Sequence, residues 1–313
     1  MKHPFYLLSA VVILISCSDE PAKKNEELSG KKEIQYNKDL LDSVRAAATS
    51  TTGELPTSIG YIKFAESIRK WSDLIEGGAN EPARMARTAF QVRYPDGGWI
   101  MIDAGMDRAI HKFFERNGPQ PFDSTKADSV RLAVDGAKLI VVTHEHGDHV
   151  GGAIYTNNEA VPKKTILTRD QVNSLINKPQ MPEIGLTEEK SNKYIMADFV
   201  DFHPIAPGIV LIKAPGHTKG EIMIYVKLQN GKEYLFVGDV TWTYQGAAEK
   251  KQKPASERSR LGEDSTTIAR QLNWINDLMT NEKVTIIASH DDIMVPKFAD
   301  SGLIQRGFVT KPK

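Results

Sequence analysis

The stretch VVTHEHGDHVGG, residues 141–152, places three histidines and an aspartate within six positions. The chain has only 8 histidines among its 313 residues, so the concentration is local and strong. An apolar run over residues 137–143 predicts a short strand that is buried on both faces. The loop that follows can turn several side chains toward one point. These side chains are His144, His146, Asp148 and His149. Imidazole and carboxylate are groups that bind zinc, so the stretch predicts a metal site.

Three further polar residues follow apolar runs elsewhere in the chain. His217 follows the run 208–214, Asp239 follows 232–238, and His290 follows 284–289. A single histidine at the end of a strand is usually a surface or hydrogen-bonded residue. Three such residues, all at predicted strand ends like the first motif, favour one shared metal site instead.

The rest of the chain alternates predicted strands and helices. Residues 88–103 predict a hairpin around a Pro-Asp-Gly-Gly turn, and Asn230-Gly231 predicts a second turn after a strand over 221–228. Residues 264–280 begin with capping residues and place apolar side chains on one helical stripe. Interleaved strands and helices predict an α/β sandwich with its motifs at strand ends.

The composition is that of a globular protein, with 40% hydrophobic and 26% charged residues. Forty basic residues balance forty acidic ones. Nucleic-acid binding depends on clustered Lys and Arg, so this balance argues against a nucleic-acid partner.

The N-terminus predicts export. Residues 1–16 combine Lys2 with an apolar run that is too short to span a bilayer, as in a signal peptide. Leu14 to Cys17, LISC, resembles the lipobox of bacterial lipoproteins, in which the cysteine is lipidated. Residues 17–34 would then be a flexible tether and residues 35–313 the functional domain. A lipid anchor would place the protein on a bacterial membrane, facing the periplasm or at the cell surface. A plain secretory signal or a buried first helix are the alternatives.

The motifs together resemble the metallo-β-lactamase superfamily, specifically its dinuclear metallohydrolases. The match consists of H-x-H-x-D-H at 144–149, Gly151-Gly152, P-G-H-T at 215–218, G-D at 238–239, His290, and IDAGMD at 102–107. It spans about residues 55 to 295. The resemblance implies an αβ/βα four-layer sandwich with its metals at one edge.

The resemblance also implies a role for each metal ligand. His144, His146 and His217 would hold the first metal, Asp148, His149 and His290 the second, and Asp239 would bridge them. The metals would be two zinc ions, or other divalent ions, that share an activated hydroxide. Asp148 would in addition transfer a proton to the leaving group.

Within the superfamily, the segments around the ligands most resemble N-acyl-homoserine lactonases and related esterases. Many of those lactonases have a substrate-contacting tyrosine three residues after the bridging aspartate, where this chain has Trp242. Trp242, Tyr244 and Met106 are therefore the predicted contacts to a small-molecule lactone or ester. A β-lactamase without a cysteine ligand, a phosphotriester hydrolase, and a non-enzymatic surface metal-binding lipoprotein are the alternatives.

Two inserted stretches flank the predicted site. Residues 245–262 contain five basic residues, which would attract an anionic substrate, although their composition favours a solvated loop. Residues 177–193 would wall a pocket, and their Met, Ile and Leu suggest an apolar acyl group.

Overall fold

The structure, a computed structural model, describes Met1 and residues 33–116 and 118–311. The chain separates into two units, Met1–Glu33 and Ile34–Lys313, and the helices and strands of the described residues lie in the second. Residues 2–16 of the predicted signal peptide, Cys17 and nearly all of the predicted tether lie outside the described residues. None of the helices in the described part of the chain has the length and apolar character needed to cross a membrane.

The strands are numbered in chain order. They are β1 (Ser58–Lys70), β2 (Pro82–Arg93), β3 (Trp99–Ile102), β4 (Leu139–Val141), β5 (Thr165–Thr168), β6 (Ile195–Ala197), β7 (Phe202–Ala206), β8 (Ile209–Lys213), β9 (Ile222–Lys227), β10 (Glu233–Phe236), β11 (Thr285–Ile287) and β12 (Gln305–Arg306). Within the described residues they form a seven-stranded sheet, in the order β12-β1-β2-β3-β4-β5-β6, and a five-stranded sheet, in the order β11-β10-β9-β8-β7.

The helices are numbered in the same way. They are α1 (Lys38–Ala48), α2 (Trp71–Leu74), α3 (Arg108–His111), α4 (Ser124–Gly136), α5 (Gly147–Ile154), α6 (Arg169–Asn177), α7 (Glu188–Ser191), α8 (Tyr244–Glu249), α9 (Ala255–Leu261), α10 (Ser265–Thr280) and α11 (Met294–Asp300). Short 3-10 turns occupy Lys112–Glu115, Pro162–Lys164 and Pro182–Ile184.

Three of the hydrophobic clusters among the described residues stack these elements into layers. One core lies between the two sheets, where the rings of Phe90 and Phe236 approach to 4.9 Å. A second packs α4, α5 and α6 on the seven-stranded sheet, and a third packs α1 and α10 on the five-stranded sheet. The resulting order of helices, sheet, sheet and helices confirms the predicted α/β four-layer sandwich.

The central strands are apolar throughout because they are covered on both faces. Side chains alternate across a strand. In β8, Ile209 and Leu211 therefore enter the core between the sheets, while Val210 and Ile212 enter the core beneath the helices. This double burial explains the continuous apolar runs of the sequence.

Most predicted elements are present. The hairpin of β2 and β3 turns at the predicted Pro-Asp-Gly-Gly, where Tyr94 N–H donates to the Gly98 carbonyl at 2.9 Å. The second turn is closed by Gly231 N–H, which donates to the Leu228 carbonyl at 3.0 Å. Helix α10 begins as predicted, because the Asp264 carboxylate caps it by accepting from two backbone N–H groups.

The two glycines after the histidine motif allow close packing rather than a turn. Both lie inside α5, which packs on the loop that follows β3. Gly152 N–H donates to the Gly105 carbonyl at 2.8 Å, and a β-carbon added at Gly152 would lie 2.2 Å from the Ala104 carbonyl oxygen. Helix α5 carries Asp148 and His149, so this contact positions part of the predicted metal site.

We expect Gly152→Ala to lower the free energy of unfolding by about 1–3 kcal/mol, because the added methyl group would force backbone atoms apart. Urea denaturation measures the change. Gly185→Ala is the matched control, since there the nearest atom is 3.2 Å from the added carbon. We expect that variant to change stability by no more than about 0.5 kcal/mol. Equal losses in the two variants would contradict this account of Gly152.

Candidate metal centre

The motif that follows β4 forms a tight loop and the first turn of α5. His144 lies in the loop, His146 is the N-cap of the helix, and Asp148 and His149 lie in its first turn. The His146 carbonyl accepts from the N–H groups of His149 and Val150 at 3.0 and 2.9 Å, which fixes the turn. The four side chains therefore have a rigid base.

The other predicted ligands reach the same place because of strand direction. Strands β8 and β10 both run antiparallel to β9, so they point the same way, and β11 runs parallel to β10. The carboxyl ends of these three strands thus lie at one edge of the sheet. His217, Asp239 and His290 follow those ends.

The structure brings all seven predicted ligands together in two groups. The first contains His144, His146, His217 and Asp239, and the second contains Asp148, His149 and His290. Within each group the candidate ligand atoms lie within 4.8 Å of one another. Six of the seven residues are buried and His146 is half-buried. Asp239 falls in the first group, and its role as a bridging ligand stays a prediction.

Four of the histidines are held by the ring nitrogen that faces away from the centre. Nδ1 of His149 lies 2.8 Å from Asp103 Oδ2, and Nδ1 of His217 lies 2.5 Å from Glu263 Oε1. Nδ1 of His290 lies 2.6 Å from the Ala86 carbonyl oxygen. These oxygens are acceptors, so each ring donates from Nδ1. His144 Nδ1 contacts the Thr143 hydroxyl at 3.1 Å.

The opposite nitrogens of these rings, together with Nδ1 of His146, lie close to one another at the centre. Nε2 of His149 and Nε2 of His290 are 3.2 Å apart, and Nδ1 of His146 lies 3.1 Å from Nε2 of both His144 and His217. A neutral imidazole that donates from one nitrogen carries a lone pair on the other. Lone pairs so close repel each other unless a cation lies among them, so the donor set fits metal ions.

The Asp239 carboxylate faces both groups. Its Oδ2 lies 3.4 Å from His217 Nε2, and its Oδ1 lies 2.9 Å from His290 Nε2. The Trp242 indole N–H donates to Oδ2 at 2.7 Å and orients the carboxylate. The carboxylate therefore lies between the two groups, with one oxygen toward each.

The charge states of the acidic ligands suit cations. Burial opposes ionisation of Asp148, but Arg87, His149 and His290 outweigh it and lower its pKa to about 2. The Arg87 guanidinium donates to Asp148 Oδ2 at 2.6 Å. Burial likewise opposes the charge of Asp239, yet the surrounding histidines hold its pKa well below the usual range.

The histidines divide into two types. Burial and the neighbouring His217 lower the pKa of His146 to about 3, and burial also holds the pKa of His144 well below its usual value. These rings are neutral at pH 7, as metal ligands must be. Burial also disfavours a charge on His149, but Asp103, Asp148 and Asp239 raise its pKa to about 9. A positive charge is therefore favoured within the second group.

Sequence reasoning missed the residues that support the ligands. Asp103 is buried with a φ of 61°, and its carboxylate accepts from the Thr143 backbone N–H at 2.8 Å as well as from His149. Its position at the end of an apolar strand was an available signal. Arg87 and Glu263 show no comparable local signal, because their partners lie far away in sequence.

The three predicted substrate contacts differ in position. Trp242 is 4% exposed and contacts Asp239, as described above. The Tyr244 ring packs against Phe298 with 5.8 Å between ring centres. Met106 is 4% exposed and lies in the core beneath α5, so its predicted substrate contact gains no support from the structure.

The structure and the burial of the two inserted stretches differ from what the sequence predicts. The prediction that residues 245–262 form a solvated loop is wrong, because α8 and α9 lie there and the Lys253 side chain is buried. The apolar side chains of residues 177–193 also do not wall an open pocket. Met181, Ile184 and Leu186 are buried in the core that contains α5 and α6.

Comparison with known proteins agrees with this geometry. The model of the metallo-beta-lactamase superfamily matches residues 85–256. An N-acyl homoserine lactonase from Bacillus sp is 22% identical over 252 residues, which cover 80% of this chain and 89% of the relative. N-acyl homoserine lactonase AiiA from Bacillus thuringiensis subsp. kurstaki is 21% identical over 208 residues, 62% of this chain and 77% of the relative.

Solved structures share the fold. An N-acyl homoserine lactone hydrolase with the product N-hexanoyl-L-homoserine at its catalytic metal centre superposes with a TM-score of 0.61 at 15% identity, over 78% of this chain and 96% of the other. AidC, a dizinc quorum-quenching lactonase, superposes with a TM-score of 0.52 at 15% identity, over 79% and 92%. The family model covers more than half of the chain and spans six of the seven residues of the two groups, since His290 lies beyond its end. The chain therefore belongs to the metallo-beta-lactamase superfamily, and it is a hydrolase of that superfamily.

Proposed function

We propose that the protein is a zinc-dependent hydrolase that opens small lactones or esters. The observation that carries the proposal is the pair of buried groups of histidine and aspartate, between which the Asp239 carboxylate lies. The substrate class is supported by relatives named N-acyl homoserine lactonases, the first of which matches 80% of the chain.

The donor set suits two zinc ions. It offers five imidazoles and two carboxylates, and the described residues contain no cysteine that could add a thiolate. When bound, two zinc ions would lower the pKa of a water molecule toward neutrality and polarise the bond that the water attacks. The site thus has no need of a side-chain nucleophile.

The chain's own residues orient the reaction. Asp103, Glu263 and the Ala86 carbonyl fix three of the imidazole rings. Opening a lactone adds a hydroxyl group to the acyl carbon and requires a proton on the leaving alkoxide oxygen. We assign the proton transfer to Asp148, whose ionised carboxylate can accept a proton from the attacking water and pass it on.

Trp242 is the predicted substrate contact that the proposal retains. Its indole N–H is engaged by Asp239, so the ring face rather than the N–H would meet a substrate. The Lys253 ammonium lies 5.0 Å from the ring centre. Any contact to substrate therefore involves the exposed 4% of this side chain or a small displacement of it.

A substrate panel tests the function directly. We expect the purified full-length chain to hold about two zinc ions, measured by elemental analysis, and to open N-acyl homoserine lactones or small esters. A chelator should abolish hydrolysis and added zinc should restore it, since the donors suit this ion. Hydrolysis of a β-lactam or a phosphotriester in place of lactones and esters would assign one of the alternative functions. A full metal complement without hydrolysis of any panel member would refute the proposal.

Asp239→Asn tests the shared ligand. We expect hydrolysis to fall more than about 100-fold, because loss of even a residue that supports a ligand costs 10- to 100-fold. Zinc content should fall in parallel, since Asp239 faces both groups. Asp128→Asn, at an exposed residue of α4, is the control and should keep full activity. Unchanged zinc content and activity in Asp239→Asn would contradict the proposed centre.

We also propose that the chain is exported and anchored to a bacterial membrane through Cys17. Support comes from the sequence of residues 1–17 alone. Several acyl chains on one cysteine would suffice for stable attachment.

In a bacterial host, the wild-type chain is expected to enter the detergent phase of a Triton X-114 partition. Cys17→Ser should remain in the aqueous phase because it lacks the acylated thiol, whereas Ser18→Ala should behave as wild type. Recovery of all three chains in the aqueous phase would rule the anchor out.

A further inference from the structure

A buried ion pair lies behind the first ligand group. The Lys253 ammonium is 2.7 Å from Glu263 Oε1, and both side chains are almost fully excluded from solvent. Neither residue belongs to the seven ligands. Removing two charges from water costs several kcal/mol per ion, so a buried pair is weak evidence of added stability. Its contacts indicate another role.

Each member of the pair touches a different ligand. Glu263 Oε1 accepts from His217 Nδ1 at 2.5 Å. Lys253 Nζ donates to the Asp239 backbone carbonyl at 2.5 Å. A continuous chain of polar contacts therefore runs from His217 through Glu263 and Lys253 to Asp239.

The pair also supports the aromatic neighbour of Asp239. Lys253 Nζ lies 5.0 Å from the centre of the Trp242 ring, within range of a cation–π interaction. The Trp242 indole N–H donates to Asp239 Oδ2. Lys253 thus reaches Asp239 both through the backbone carbonyl and through the side chain that orients the carboxylate.

The segment that carries the pair is itself fixed in place. Lys253 lies between α8 and α9, and Glu263 lies between α9 and α10. Arg258 donates to the Lys253 carbonyl at 2.7 Å, and the Glu76 N–H donates to the Gln252 carbonyl at 2.8 Å. Glu263 falls beyond the residues matched by the family model, which end at 256.

A carboxylate behind a metal-binding histidine has a defined effect. It holds the proton on the outer nitrogen, turns the ring, and leaves the lone pair of the inner nitrogen directed at the metal. Here His217 Nε2 faces His146 and Asp239. Without Lys253, the Glu263 carboxylate would be buried beside His217 with no cation to balance it.

We propose that Lys253 and Glu263 form a single positioning unit that holds His217 and Asp239 and so sets the metal affinity of the first ligand group. This role presupposes the metal centre of the proposed function. Both are positioning residues and not ligands, because they act through His217, Asp239 and Trp242.

Site-resolved Co²⁺ binding to the full-length chain tests the proposal. Absorption titrations against a competing chelator are run on wild type, Glu263→Gln, Lys253→Met and the double variant. His290→Ala identifies the spectrum of the second group. In each single variant we expect the dissociation constant of the first group to rise about 10- to 100-fold. In Glu263→Gln, which acts through His217 alone, the second group should stay within about twofold of wild type. In Lys253→Met, which also acts through Asp239, the second group should weaken less than the first. In the double variant, the dissociation constant of the first group should be no higher than in the single variant that binds Co²⁺ less tightly, because the pair acts as one unit.

The chain supplies a matched control pair. Lys251 and Glu249 form an exposed ion pair of the same 2.7 Å length in the same segment. Lys251→Met and Glu249→Gln should leave both dissociation constants unchanged. Glu263→Gln keeps the size of the side chain and an acceptor oxygen. It therefore tests the positioning role by itself if Lys253→Met does not fold.

Equal weakening of both ligand groups in Glu263→Gln would mean that the pair only supports the fold, and unchanged affinity of the first group would mean that it does not position the ligands. Either result overturns the proposal. If the wild-type chain binds no Co²⁺ or zinc at all, the proposed function fails as well, which distinguishes the two failures.

Discussion

The architecture of the site depends on the contacts that hold the histidine rings from behind. Nε2 of His149 and Nε2 of His290 lie 3.2 Å apart because Asp103 and the Ala86 carbonyl engage the other side of each ring. Each ring thereby directs its second nitrogen toward the same point. The fold itself, through these supporting contacts, arranges the donors that a metal centre needs.

The supporting contacts come from distant parts of the chain, and each ligand group has its own. Asp103 and Arg87 hold the second group from the seven-stranded sheet, with Arg87 bonded to Asp148 at 2.6 Å. Glu263 and Lys253 hold the first group from the segment around α9. The two groups adjoin at Asp239 and at the rings of His144 and His149, whose centres lie 4.1 Å apart. Each group is nevertheless supported mainly by its own set of residues.

Much of the fold and nearly all of the ligand set were predictable from sequence, for a physical reason. Strands such as β8 are buried on both faces, so their apolar runs have clear ends, and the ligands follow those ends. Strand β1 escaped detection because Lys63 and Glu66 interrupt its apolar pattern and a register shift follows Lys63. Lys253 was one of five basic residues in a polar stretch, and only its tertiary partner Glu263 distinguishes it. The sequence pattern shows which local element a residue belongs to, whereas the burial of a charged side chain depends on a partner far away in the chain.

The contact between His290 and β2 has a consequence for assembly. His290 follows the last strand of the five-stranded sheet, yet its ring donates to the Ala86 carbonyl, and the Ala86 N–H donates back to the His290 carbonyl at 3.0 Å. Ions bound between His290 and the loop after β4 would link one sheet to the other. The second ligand group would therefore be complete only once the two sheets have docked, which would couple metal binding to folding.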